Sequence, residues 1–242
     1  MNKPKEVALT PVPVRPLRQF ALGALWLGFV TYGVLLSPPS APDTLGVILQ
    51  LSTGQWAELN PWVVVLFNLM GLWPVIYASL ALDDGRDQAV PAWPFVVGSF
   101  GLGAFALLPY LALRKSTATL PREPVDSLLL RVMHRRWVGV GVAILTLLLL
   151  AYGFTQGQGQ IQGQGVWQDF LDQFSTSQFI HVMSLDFCLL TLLTPSLLWD
   201  DMARRQASPL WRGVSLLPLL GPAIYLALRP TGAAANVAAA KS

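Results

Sequence analysis

The chain has 242 residues, of which 53% are hydrophobic and 12% charged, with a formal charge of +3. Soluble domains carry about 25% charged residues, so this composition excludes an ordinary water-soluble globule and points to a membrane protein. The small, scattered positive charge argues against nucleic acid and places the basic residues at lipid headgroups. One cysteine, Cys188, excludes an intrachain disulfide, and with two histidines it cannot build a four-ligand Cys/His metal site. No metal or cofactor is expected.

Residues 1–18 form a basic, Pro-rich tail with Lys3, Lys5, Arg15 and Arg18, read as disordered. No small-x-small cleavage site follows it, so the next apolar stretch reads as a retained first span rather than a signal peptide. A helix needs about 20 apolar residues to cross a hydrocarbon core of about 30 Å. Six segments qualify: 19–36, 62–82, 92–113, 137–156, 177–199 and 210–228. Trp62, Trp93, Trp137, Trp199 and Trp211 fall near their ends, as in an interfacial aromatic belt.

Between the first two spans, "LGVILQLS" is too short to cross and lies at the interface or re-enters. Residues 114–136 form a basic loop, and "PVDSLLLRVMHRRW" within it suits a helix lying on the membrane. "GQGQIQGQG" (157–165) reads as a flexible linker. Residues 230–242 read as a disordered tail.

Two stretches match in order. The acidic pair Asp83–Asp84 aligns with Asp200–Asp201. Arg86 aligns with Arg204 across a one-residue gap, Pro91-x-Trp93 with Pro209-x-Trp211, and Tyr110–Arg114 (YLALR) with Tyr225–Arg229 (YLALR). The expected architecture is therefore an all-α integral membrane protein of about six spans. It comprises two three-helix repeats, 19–113 and 137–229. An odd number of spans per repeat inverts the second copy and sets the two acidic pairs on opposite sides. On that count the basic residues divide almost evenly between the two sides, which leaves orientation open.

Within this frame the acidic pairs, Arg86 and Arg204 read as turn hardware, with each Arg paired to its neighbouring carboxylates. Tyr110 and Tyr225 read as interface anchors, and Arg114 and Arg229 as snorkelling to phosphate. The chemistry-bearing candidate is Asp186, the one carboxylate deep in a span, about 3 Å from the midplane at ~1.5 Å per residue. Its counterpart in the first half is read as Asn68. His181 precedes Asp186 by five residues, about 140° around the helix, so the two do not share a face. Ser184 lies one turn from His181 and could bond it. Asp186 and His181 are the catalytic candidates, and Asn68, Ser184 and Asp186 the ligand-binding ones. The alternative for Asp186 is a hydrogen bond that pins neighbouring helices.

"FIHVMSLDF", with His181 and Asp186, followed by "LLPLLGPAIYLALR", resembles the abscisic-acid-deficient-4-like family of chloroplast and cyanobacterial membrane proteins. Asp186, Asp200–Arg205 and Trp211–Arg229 also resemble an uncharacterised bacterial family of three-span proteins. The first resemblance implies a role in neoxanthin formation, an epoxide-to-allene isomerisation of a carotenoid, with His181 and Asp186 at the matching positions. The G-R-W-like stretch that the family places after the Asp is "LLTLLTP" here. The expectation is thus a protein of a thylakoid or plasma membrane that binds or modifies a carotenoid-like lipid. A scaffold for photosynthetic membrane complexes, using small-residue faces such as "GSFGLGAF", and a small transporter are the alternatives.

Overall fold

The computed structural model describes residues 16–85, 88–115, 128–161 and 163–230. Arg86, residues 1–15 and 231–242 of the tails and residues 116–127 of the basic loop lie outside the described residues, while residues 16–18, expected in the disordered tail, begin the first helix. The fold is almost entirely helical. Four helices are long and apolar enough to cross a membrane. They are α1 (Pro16–Thr31, continued by a π-helical turn at Tyr32–Leu36), α3 (Pro61–Asp84), α7 (Arg136–Gln156) and α9 (Gln178–Arg204). Helix α2 (Thr44–Thr53) is the short apolar piece expected between the first two spans.

Helix α3 begins where its sequence says it should. The Asn60 side chain accepts hydrogen bonds from the Trp62 and Val63 N–H groups, and Pro61 occupies the first turn, where no N–H is needed. Asn60 also donates to the Val166 carbonyl at 2.8 Å and to Asp169 at 2.7 Å. This ties α3 to α8 (Val166–Thr176), an amphipathic helix within a stretch the sequence reading left as connection. A two-residue-per-strand hairpin, β1 (Gln160–Ile161) and β2 (Gln164–Gly165), precedes α8 where a linker is expected.

Segments 92–113 and 210–228, expected as the third and sixth spans, do not form single helices. The first divides into α4 (Trp93–Leu102) and α5 (Ala104–Leu113) at Gly103, whose φ of 50° and ψ of −126° stop the helix. A Cβ on Gly98 would sit 3.2 Å from the Cβ of Ala106, and the Phe95 and Tyr110 rings lie 5.9 Å apart. The chain therefore doubles back, and α4 and α5 pack antiparallel. Each arm has ten residues, about 15 Å of helix, or half the depth of a bilayer core. The second segment also doubles back, through shorter arms of five and nine residues. Helix α10 (Leu210–Val214) turns into α11 (Leu220–Leu228) through Leu219 at φ 56°. The Trp211 and Tyr225 rings meet at 5.9 Å, and Gly221 abuts the Val214 carbonyl. The remaining short helix, α6 (Leu128–Met133), leads into α7.

Each half thus contributes two long helices and one helical hairpin that returns to the side it left. The acidic pairs, expected on opposite sides, are in direct contact with a shared set of arginines. Asp84 and Asp200 both bind Arg114. An inverted arrangement would hold them a membrane thickness apart.

Helices α3 and α9 are the centre of the bundle. Trp73, Ile76, Tyr77, Leu190 and Leu197 are fully buried between them and their neighbours, and the Tyr77 hydroxyl donates to the Leu190 carbonyl at 2.8 Å. Helices α1 and α7 lie outside and expose Leu27, Val34, Ile144, Leu145, Leu147 and Leu148, a surface suited to lipid rather than water.

With these four helices as the crossings, the connections 37–60 and 157–177 share one side. Neither contains a Lys or Arg, so all 16 basic residues fall elsewhere in the sequence. On that count the positive-inside rule predicts a cytoplasmic side for the basic 114–136 connection. Reporter fusions in 114–136 are expected to read cytoplasmic, and fusions within 157–165 to read the opposite side. An inverted six-span chain would place 114–136 opposite residues 157–165 too, but 200–209 on the side of 114–136 only in company with 37–61. A third fusion at 86–91 is therefore decisive, because four crossings put it with 114–136 and six put it opposite.

Candidate functional site

Two polar sites stand out from the apolar bundle. The first is the buried charge cluster where the YLALR ends meet the acidic pairs. Arg114, at the end of α5, is 1% exposed. Its guanidinium reaches Asp84 at 3.0 Å, Asp200 at 2.5 Å and the Ser196 carbonyl at 2.8 Å. Arg229, at the end of α11, takes the matching position. It lies 3.6 Å from Asp201 and 3.4 Å from the Ser79 carbonyl oxygen. The Tyr110 hydroxyl donates to Asp84 and the Tyr225 hydroxyl to Asp201, each at 2.8 Å. Asp84, Ser79, Tyr110 and Arg114 therefore do in one half what Asp201, Ser196, Tyr225 and Arg229 do in the other. Each arginine also reaches into the opposite half.

Arg204 pairs with Asp84 at 3.1 Å, across the halves rather than with its neighbours alone. Arg205, given no role of its own by the sequence reading, bridges Asp201 at 2.9 Å and Asp83 at 3.1 Å. His134 approaches Asp83 at 3.4 Å. Burial works against the charge on Arg114. Asp84 and Asp200 outweigh it and hold the guanidinium above its ordinary pKa. Arg205 is raised in the same way, by Asp201 and then Asp83 against the cost of burial. Tyr110, Tyr225, Arg114 and Arg229 are therefore not headgroup anchors, since all four are buried. The signal that could have revealed this is the duplicated Arg itself. An arginine ending a half-length arm stops well short of the opposite headgroups, and faces an acidic pair instead.

The second site is a cavity of about 510 Å³ beside the tip of the first hairpin, within the ~300–1,000 Å³ of small-molecule pockets. Gly33 at the end of α1, Phe67 and Met70 of α3, and Phe179, Met183 and Asp186 of α9 form its walls with the hairpin tip. Asp186 is 5% exposed. One carboxylate oxygen accepts the Ala104 N–H at 2.7 Å. That N–H is an orphan donor at the start of α5, where the helix dipole favours an anion or an acceptor. Gly103 makes the approach possible, because any Cβ there would collide with the Asp186 carboxyl group.

The other candidates are not assembled around this carboxylate. His181 Nδ1 lies 2.8 Å from the Phe174 carbonyl oxygen, an acceptor only, so Nδ1 carries the proton. Nε2 then accepts from the Tyr32 hydroxyl at 2.7 Å. Both ring nitrogens are committed, and the Phe174 ring stacks on the imidazole at 4.4 Å. Ser184 donates to the Ile180 carbonyl of its own helix rather than to His181. Asn68 donates to the Val64 carbonyl of its own helix and does not line the cavity. Nor is Asn68 the partner position of Asp186. The offset that carries Asp83 to Asp200 carries Leu69, not Asn68, to Asp186. Among the described residues, no three His, Cys, Asp or Glu side chains are grouped to hold a metal ion.

Neither a family model, nor a curated protein, nor a solved structure matches the chain.

Proposed function

We propose that the protein binds a membrane-soluble lipid of the carotenoid kind, with an apolar body and an oxygenated end, in the cavity beside Asp186. The observation that carries this reading is a carboxyl group, held by the Ala104 N–H, at the edge of a pocket walled mainly by Phe, Met, Leu, Val and Gly, with Ser40, Thr44, Ser99 and Gln178 as its neutral polar lining. One oxygen of that group takes one backbone bond, which leaves lone pairs for a ligand hydroxyl. The apolar walls bury a ring or polyene end, and the rest of a long ligand would lie along the exposed apolar faces of α1 and α9.

Binding is favoured over isomerisation. An epoxide-opening reaction needs both an acid and a base at the reacting end. Asp186 borders the cavity, but His181 is tied to Tyr32 and Phe174. The transport reading rested on inverted repeats, and the contact between the acidic pairs removes that support. Two upright, duplicated halves, each of two crossings and a re-entrant hairpin, fit all of the matched contacts. A thylakoid or plasma membrane of a cyanobacterium-like organism goes with the carotenoid reading.

The test is pigment extraction from protein purified in mild detergent out of a carotenoid-producing host. Wild type is expected to carry pigment. Asp186→Leu, which installs the residue found at the partner position, is expected to carry at least about tenfold less hydroxylated pigment, equivalent to ~1.4 kcal/mol. Equal pigment in both, or none in wild type, overturns the reading.

A further inference from the structure

A second cavity, of about 430 Å³, lies beside the tip of the second hairpin. Its walls correspond to those of the first. Trp62, Val65, Leu66 and Leu69 of α3 face it, and the offset between the acidic pairs carries them to Phe179, Val182, Met183 and Asp186, which face the first. Phe187 lines the second cavity, and the same offset relates it to Met70, which lines the first. The hairpin tips match as well, with Leu217–Leu220 in place of Gly101–Gly103. The decisive difference is Leu69 where the first cavity has Asp186.

We infer that this second cavity is a second lipid site, specific for the unoxygenated ring end of a carotenoid or similar isoprenoid. Three observations fit that class. Among the described residues the cavity walls carry no charged side chain, and the one hydroxyl there, on Thr146, donates back to the Val142 carbonyl at 2.8 Å. A ligand hydroxyl would find no carboxylate, and burying it without a good partner costs about 1–3 kcal/mol. The aromatic lining suits a flat ring or polyene. The Trp167 and Phe170 rings stack at 5.5 Å, and Trp62 meets Trp167 edge-on at 6.5 Å. Finally, the site stands at the same place relative to its hairpin as the first. The inference rests on the carotenoid reading for the class of ligand, but not on Asp186.

The experiment titrates purified full-length protein in detergent with β-carotene, which has no polar atom, and with zeaxanthin, whose rings are hydroxylated. Bound pigment is counted after gel filtration. Leu66→Trp and Leu150→Trp each fill the second cavity from a different wall. Both are expected to lower bound β-carotene at least tenfold while zeaxanthin binding persists, which also shows that the variants are folded. Asp186→Leu is expected to do the reverse. If β-carotene does not bind wild type, or binds both filled variants as it binds wild type, the second site does not exist as described. If the filled variants lose β-carotene while Asp186→Leu leaves zeaxanthin untouched, the second site stands and the role given to Asp186 falls. Loss of both pigments from both filled variants means one undivided site and overturns the inference.

Discussion

Arg114→Met is expected to destabilise the folded protein by about 3–5 kcal/mol, the cost of leaving a buried charge without its partner. The geometry explains why the effect is large. Arg114 is 1% exposed and holds two carboxylates from the two halves, Asp84 at 3.0 Å and Asp200 at 2.5 Å. Asp84 is itself buried at 1% and, with Arg114 removed, keeps Arg204, the Tyr110 hydroxyl and the nearby charge of Arg18. The Ser196 carbonyl also loses a donor. Arg229→Met is the internal comparison. Its arginine sits at the matching place but with longer contacts, 3.6 Å to Asp201 and 3.4 Å to the Ser79 carbonyl oxygen. Asp201 retains Arg205 at 2.9 Å and the Tyr225 hydroxyl. The loss at Arg229 is therefore expected to be smaller, by at least about 1 kcal/mol. Unfolding in mixed micelles with increasing SDS, followed by circular dichroism, measures both. Equal losses at the two arginines would show that the cluster is balanced by something other than these contacts.

The cluster also shows what hydropathy can and cannot report. The spans 19–36, 62–82, 137–156 and 177–199 read from the sequence correspond closely to the four long helices. An apolar run of that length has few other ways to satisfy its backbone in lipid. The runs 92–113 and 210–228 are just as apolar, and hydropathy does not distinguish one long helix from two short arms lying side by side. The distinction sits in a few residues. Gly98, Gly101 and Gly103 crowd the first turn, and Pro218, Gly221 and Pro222 the second. Misreading those two turns changes the number of crossings per half from two to three. That single change of parity inverts the second half, separates Asp83–Asp84 from Asp200–Asp201, and spreads the basic residues over both sides. The duplication was legible as a sequence pattern, but its sense was not. Asp186 was legible as the one deep carboxylate. Its partner was not, since a backbone N–H at a hairpin tip leaves no mark on the sequence. Asn68 attracted attention as a polar residue in a span, yet a hydrogen bond to its own helix explains it.

Gly103→Ala is expected to lower zeaxanthin binding as much as Asp186→Leu does, and to lower stability by about 1–3 kcal/mol through backbone strain alone. At φ 50° and ψ −126° the residue occupies conformational space that an L side chain rarely enters. The added methyl would also overlap the Asp186 carboxyl group. The carboxyl group must then rotate away, which breaks its bond to the Ala104 N–H and moves the carboxyl group at the cavity edge. Gly101→Ala isolates the cause. Gly101 lies in the last turn of α4 with nothing within 4 Å of an added Cβ. In a helix that change is expected to be neutral or to stabilise by up to about 1 kcal/mol. The double variant Gly103→Ala, Asp186→Ala separates strain from collision. Removing the carboxyl group leaves the strained backbone but gives the methyl its space. The double variant is therefore expected to be at least about 1 kcal/mol more stable than the sum of the single losses allows. Strict additivity in the same SDS titration would mean that Gly103 acts through its backbone alone, and that the tip does not need the Asp186 carboxyl group against it.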